Sequence, residues 1–67
     1  MRKYSAWIKI TDELLYIEEF DYELEYIALT TKEKNARTLD SGEVSELREF
    51  AARVFGAGTD IYFTEVV

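Results

Sequence analysis

The chain has 67 residues and a formal net charge of −6, with no cysteine and no histidine. This length allows one domain, and the missing thiol and imidazole groups exclude disulfides and the usual zinc, haem and iron–sulfur ligands. Because 48% of the residues are hydrophobic and 15% are aromatic, a disordered acidic tail is excluded as well.

The chain is expected to fold as a single domain over residues 1–67. No apolar stretch approaches the roughly 18 residues that a membrane-spanning helix needs. A protein without cysteines suits a reducing compartment, so we expect a cytoplasmic protein that does not contact a membrane.

The first predicted element is a β-hairpin. Residues 4–10 are rich in aromatic and β-branched side chains, which favour a strand. Their alternation places Tyr4, Ala6, Ile8 and Ile10 on one face and Trp7 on the other. Residues 11–13 are predicted to form the turn, and residues 14–20 the returning strand.

Residues 19–29 allow two interpretations. As a strand, they place Phe20, Tyr22, Leu24, Tyr26 and Ala28 on one face and Glu19, Asp21, Glu23 and Glu25 on the other. As a helix, they leave only a patchy stripe of Leu14, Ile17, Leu24, Ile27 and Ala28. The period of two fits better, so a strand is favoured, with a bend or bulge near Asp21 because one straight strand over residues 14–30 would be long.

The next predicted element is a helix that ends at Gly56. Its apolar positions recur at helical spacing: Val44, Leu47, Phe50, Ala51, Val54 and Phe55. Asp40 with Glu43 fits a capping box, and Ser41 is the competing N-cap residue. Gly56 stands where a left-handed C-cap belongs. Before the helix, residues 32–35 are a polar turn and residues 36–39 a short strand or extended lead-in; residues 61–67 form the last strand.

These elements predict the order β-β-β-α-β in an α+β fold. We expect a small, mostly antiparallel sheet of three to four strands with one helix packed on one face, because a lone helix must bury its apolar stripe against the sheet.

The stretch before the helix carries a resemblance to a group of known proteins. Residues 29–39 read LTTKEKNARTL and fit the pattern L-T-x-x-x-x-x-A-x-x-F/L; Asp40-Ser41-Gly42-Glu43 and the helix follow. In this, and in its N-terminal hairpin, the chain resembles small uncharacterised acidic accessory proteins of phages and prophages of Gram-positive bacteria. The resemblance implies a phage accessory role, and such proteins often act against host enzymes or defence systems.

The net charge of the chain is concentrated in one stretch. Residues 12–25 contain seven acids and no base, whereas the rest contains seven acids and eight bases. On a strand, alternate carboxylates lie about 6.6 Å apart, similar to phosphates along one nucleic-acid strand. Such a row could occupy a basic cleft of a partner protein; it also disfavours direct binding to nucleic acid. The plainer interpretation is a solvated sheet face. The candidate binding residues are Glu18, Glu19, Asp21, Glu23 and Glu25.

Three aromatic residues are further candidates for partner binding. Trp7 alternates with the core residues of its strand, and Tyr62 alternates with Ile61 and Phe63. One helix covers only one face of a sheet, so some rings are expected to be exposed and to mark an interface with a partner or with a second copy in a homodimer. Tyr22 belongs to the same set. The plainer interpretation is that long side chains such as Lys9 cover these rings.

The residue types do not favour catalysis or a bound metal. Nucleophilic schemes need a base beside Ser, Thr or Cys, and a short chain offers no deep cleft for paired carboxylates. Asp21, Glu23 and Glu25 have the spacing that opens a calcium-binding EF-hand loop, but Tyr26 and Lys32 stand where that loop needs Gly and Glu. We expect no enzyme activity, no metal and no cofactor.

The sequence therefore predicts a small phage-type protein-binding domain. Its sharper form is an inhibitor or nucleic-acid mimic, comparable to anti-CRISPR proteins, that acts on a host nucleic-acid-handling or defence protein with a basic surface. The alternative is a structural or homo-oligomeric accessory protein of phage assembly.

Overall fold

The computed structural model describes residues 2–66 and has the element order β-β-β-α-β, which confirms the α+β class. Val67, included in the last predicted strand, lies outside the described residues. Within residues 2–66 no helix is long and apolar enough to cross a membrane. The elements are β1 (Lys3–Ile10), β2 (Glu13–Asp21), β3 (Tyr26–Thr30), a 3-10 helix (Glu33–Asn35), α1 (Ser41–Phe55) and β4 (Ile61–Val66).

The sheet has the strand order β3-β2-β1-β4, and each neighbouring pair is antiparallel. The predicted first hairpin is confirmed: Ile10 pairs with Glu13, and the two residues between them have positive φ angles of 50° and 65°. Positive φ at both positions is the backbone of a type I′ turn, whose twist matches that of the strands. After α1, the chain returns as β4 beside β1, from Ile8–Ile61 to Lys3–Val66, without a register shift.

A segment of the chain is inserted between β1 and β2. The two strands pair directly only near their hairpin, and a bulge at Glu18 then bends β2 away: Ile17 pairs with Leu29, but Glu19 pairs with Ala28. The bend or bulge predicted near Asp21 is found as two features: a bulge at Glu18 and, directly after Asp21, a turn over residues 22–25.

Residues 36–39 fill the resulting gap as the predicted extended lead-in. Leu39 exchanges two backbone hydrogen bonds with Tyr4, at 2.8 and 2.7 Å, and the Arg37 N–H donates to the Ile17 carbonyl at 2.9 Å. The segment therefore joins β1 to β2 directly before α1 begins.

The continuous strand predicted over residues 19–29 is wrong. A turn over residues 22–25 divides it, because the Asp21 Oδ1 atom accepts the N–H groups of Glu23 at 2.9 Å and Leu24 at 3.0 Å. Glu25, with a φ of 54°, completes the reversal. As a result, Phe20 packs towards α1 whereas Tyr26 lies on the other face of the sheet. The acids at 19, 21, 23 and 25 do not form one regular row.

The helix has the predicted cap and end. The Glu43 N–H donates to Asp40 Oδ1 at 2.8 Å, and the Asp40 N–H donates to Glu43 Oε1 at 3.1 Å, so Asp40 and not Ser41 is the N-cap residue. Gly56 ends the helix with φ 101° and ψ 151°. Its φ suits glycine, but its ψ is extended, so the left-handed C-cap that we predicted is not formed.

The core lies between α1 and one face of the sheet, called here the covered face. Three arginines lie over aromatic rings at its margin: Arg37 over Phe20, Arg48 over Phe63 and Arg53 over Phe50, at 4.3, 5.2 and 5.6 Å from the ring centres. The other face of the sheet is called the open face. The buried apolar residues are Ala6, Ile8, Ile17, Phe20, Leu39, Leu47, Phe50 and Ala51.

Candidate interaction surfaces

Tyr22 follows the end of β2 and packs its ring against α1. The ring meets Phe50 edge to face, with centroids 4.9 Å apart and planes at 83°, and it lies 5.3 Å from the Phe20 ring. At 38% exposure, the other side of Tyr22 is open to solvent. Tyr22 therefore joins the core to the surface.

Two grooves meet at Tyr22, and carboxylates line both. The end of β2 and the turn after it contribute one set and α1 the other, and Glu46 borders both grooves. Arg37 and Arg53 lie at the edges of the grooves, above the core rings. We call this region the acidic surface; its carboxylates are Asp21, Glu23, Glu43, Glu46 and Glu49.

The five carboxylates outnumber the two arginines, Arg37 and Arg53, that line the same grooves. Arg37 forms an ion pair with Glu43 at 3.5 Å, and residues 2–66 contain no ion pair to the other four acids. Partial burial raises the pKa of Tyr22 above its usual value of about 10, the carboxylates of Glu46 and Glu43 raise it further, and Arg37 lowers it. Partial burial is therefore the main reason for the raised pKa of Tyr22, and two nearby carboxylates add to it.

The structure separates the acids that the sequence grouped. Asp21 and Glu23 border the acidic surface, and Glu25 lies in the same turn. Asp21 also pairs with Tyr26, so its side chain leaves β2 on the same side as that of Glu19. Glu18 is in the bulge, and Glu19 lies on the open face opposite Ala28. The hydrogen bonds of Asp21 to the turn show that its carboxylate also has a structural role.

Sequence reasoning missed the helix side of the acidic surface. Glu43, Glu46 and Glu49 follow one another at intervals of three, which identifies an exposed helix face but assigns it no function. Their closeness to Tyr22 depends on how the β2–β3 turn packs against α1. No local pattern in the sequence reports that packing.

The open face carries Trp7 and Tyr62, as predicted from their alternation. Their rings stack with centroids 4.4 Å apart and planes inclined by 20°, and the Trp7 Nε1–H group donates to Thr64 Oγ1 at 2.9 Å. Tyr62 is 42% exposed. Tyr22, the third candidate ring, lies away from these two and packs against α1 on the covered side.

The register of the sheet aligns a row of residues across all four strands of the open face. Thr30 pairs with Tyr16, Tyr16 with Trp7, and Trp7 with Tyr62. A cleft of about 540 Å³ borders this row, with Ser5 and Lys34 among its lining residues. Tyr16, which sequence reasoning did not single out, is thus central to the open face.

Tyr16 is held by the 3-10 helix. Its hydroxyl donates to Glu33 Oε2 at 2.8 Å. This hydrogen bond raises the pKa of Tyr16, and desolvation and the negative charge of Glu33 act in the same direction. The bond favours the neutral phenol and ties the wall of the cleft to β2.

Within residues 2–66, no three Asp or Glu side chains lie close enough together to hold a metal ion. Comparison of the chain with protein-family models, with curated proteins and with solved structures found no significant match.

Proposed function

We propose that the chain is a small protein-binding domain whose acidic surface recognises a basic surface of another protein. The observation that supports this is the convergence of carboxylates from two separate segments, the β2–β3 turn and α1, around one half-exposed tyrosine. A carboxylate cluster attracts Lys and Arg at long range, and a ring such as Tyr22 provides an anchor at close range.

The charge distribution favours a basic partner that itself handles nucleic acid. Proteins that bind nucleic acid carry clustered Lys and Arg, and an acidic protein of −6 charge can occupy such a cluster. In its finer form the proposal is a phage inhibitor of a host nucleic-acid-handling or defence protein. The regular phosphate-like row no longer supports this form, because residues 22–25 form a turn; the support is charge alone.

The test is a comparison of two triple charge reversals. One variant combines Glu23→Lys, Glu46→Lys and Glu49→Lys on the acidic surface. Its matched control combines Glu13→Lys, Glu18→Lys and Glu19→Lys, which changes the net charge equally at exposed positions elsewhere. All six positions are exposed, so both variants are expected to keep the fold, which circular dichroism checks.

Binding is measured first with a fluorescent arginine-rich peptide at low and high salt, and then by quantitative capture from a bacterial lysate. We expect the acidic-surface variant to lose binding and the control to retain most of it. We also expect proteins with basic nucleic-acid-binding surfaces among those that only the wild type and the control capture. Equal losses in both variants would show that net charge, not this surface, determines binding.

A further inference from the structure

We infer that two copies of this chain pair through the outer edge of β4, antiparallel, to form one continuous sheet with the two-fold axis at Phe63. This inference does not depend on the proposed function. In the sheet, β4 lies at the opposite edge from β3 and from the β2–β3 turn over residues 22–25, called here the acid-rich turn.

The backbone of β4 determines which of its groups are free. Tyr4 directs both its N–H and its C=O to Leu39, on the side of β1 away from β4. In an antiparallel pair, the backbone groups of two directly opposed residues point either towards each other or both away. The backbone groups of Glu65, the ladder partner of Tyr4, therefore point away from β1. By the same alternation, Ile61 and Phe63 also point outward. Within residues 2–66 these three residues have no strand to pair with on that side.

This edge carries little of the usual protection against pairing. Natural edge strands are protected by Pro, by charged side chains, by bulges or by a covering loop; of these, β4 has one charged side chain, Glu65, which pairs with Arg2. β4 reads IYFTEV, contains neither Pro nor Lys, and keeps a regular register with β1 along its whole length. The other edge of the sheet differs: β3 begins beside the acid-rich turn and pairs with the bulged part of β2. The β4 edge is therefore the one suited to accept another strand.

A second copy of β4 matches this edge better than an arbitrary peptide. With the axis at Phe63, Ile61 of one copy pairs with Glu65 of the other, and all the outward residues of both copies are satisfied. On the open face, the exposed ring of Tyr62 then lies beside Thr64 of the second copy, and Tyr62 loses exposed area. A second copy of β4 is also present wherever the protein is, at the concentration of the protein itself.

Charge opposes this arrangement only weakly. The acid-rich turn adjoins β3, which lies three strand spacings, or about 14 Å, from β4. In the paired sheet the two β3 strands are about 33 Å apart, well beyond the Debye length of about 8 Å at physiological salt. At the joint itself, Glu65 already has Arg2 at 3.8 Å. The repulsion expected between two chains of −6 charge is thus largely screened.

The experiment measures mass against concentration by sedimentation equilibrium for the wild type and two variants. Glu65→Pro removes an outward N–H without removing a core side chain, because Glu65 is exposed and pairs with Tyr4 outside the hydrogen-bonded positions. Glu65→Gln is the matched control, since it loses the same ion pair but keeps the N–H. We expect a doubling of mass with concentration for the wild type and for Glu65→Gln, and a constant monomer mass for Glu65→Pro.

A wild type that stays monomeric throughout overturns the inference, and so does a Glu65→Pro variant that still doubles in mass. Amide hydrogen exchange tests the same edge without mutation, should Glu65→Pro fail to fold. The outward amides of Ile61, Phe63 and Glu65 are expected to become protected as concentration rises, while those of Tyr62 and Thr64 stay protected at every concentration. Exchange of the outward amides that does not change with concentration contradicts the pairing.

Discussion

The indole of Trp7 and the phenol of Tyr62 stack across β1 and β4, with ring centroids 4.4 Å apart and planes at 20°. These two residues are direct cross-strand partners, and β4 joins the sheet through β1 alone. The stack therefore helps to hold an edge strand that has a neighbour on one side only.

Replacement of Tyr62 by alanine is expected to lower the free energy of unfolding by about 1–2 kcal/mol, because the stack and its buried area are lost. Tyr62→Phe keeps the ring and is expected to be nearly neutral. Urea unfolding followed by circular dichroism, at low protein concentration, measures both. Equal destabilisation by the two variants would assign the effect to the hydroxyl instead of the ring.

The helix cap gives a second prediction. Asp40 and Glu43 satisfy each other's N–H groups at the start of α1. Asp40→Ala is expected to lower the free energy of unfolding by about 1 kcal/mol, whereas Asp40→Asn, also a good N-cap residue, is expected to cost less. Thermal and urea denaturation compare the two variants. Ser41→Ala serves as a control, since Ser41 is the first residue of α1 and not its cap; a larger effect at Ser41 would contradict this assignment.

The elements with a strong local signal could be predicted from the sequence. The apolar spacing of α1, its cap at Asp40 and the alternation of Trp7 with Ala6 and Ile8 each depend on neighbours within a few residues. For that reason the order β-β-β-α-β, the packing of the helix on one face and the position of Trp7 on the face opposite Ala6 and Ile8 were predicted correctly.

The predictions that were wrong concern features that depend on longer-range or competing interactions. Residues 19–29 alternate well enough for a strand, but the Asp21 carboxylate binds two N–H groups in the turn and Glu25 adopts a positive φ. The turn then packs Tyr22 against Phe50. The side of α1 that completes the acidic surface follows from that packing. The alternation of apolar and polar residues along the chain does not predict this packing of Tyr22 against α1.

The first hairpin turn gives a prediction about backbone strain. Thr11 has a φ of 50°, a region that β-branched residues rarely adopt, whereas Asn tolerates it well. Thr11→Asn is expected to raise the free energy of unfolding by about 0.5–1 kcal/mol. Thr31→Asn, at another exposed threonine whose φ is not positive, is the control and is expected to be neutral. Thermal unfolding of the wild type and the two variants measures these changes in stability. A Thr11→Asn variant that is no more stable than the wild type would contradict the prediction.

The pair of Tyr16 and Glu33 gives a prediction for alkaline pH. The hydrogen bond from Tyr16 raises its folded-state pKa, so its contribution to stability is present below the unfolded-state pKa of about 10. That contribution is lost as the pH rises through the higher folded-state pKa. Glu33→Gln removes the negative charge and is expected to lower the pKa of Tyr16.

Carbon-13 NMR of the tyrosine Cζ atoms follows each phenol separately. Tyr16 is expected to ionise later than an ordinary tyrosine in the wild type and earlier in Glu33→Gln than in the wild type. Glu13→Gln removes an acid that makes no such hydrogen bond and is expected to leave the Tyr16 titration unchanged. A Tyr16 curve that is the same in all three proteins would show that the bond to Glu33 does not persist in solution.

The insertion of residues 36–39 between β1 and β2 also fixes the two parts of the acidic surface relative to each other. Leu39 is bonded to Tyr4 and Arg37 to Ile17, and Asp40 then starts the helix that carries Glu43 and Glu46. The helical carboxylates are thereby fixed in place relative to the strand that leads to Asp21 and Glu23. Under the proposed function, a partner would therefore dock on carboxylates that are already held in position, and little conformational entropy would be lost. The chain achieves this preorganisation without a disulfide.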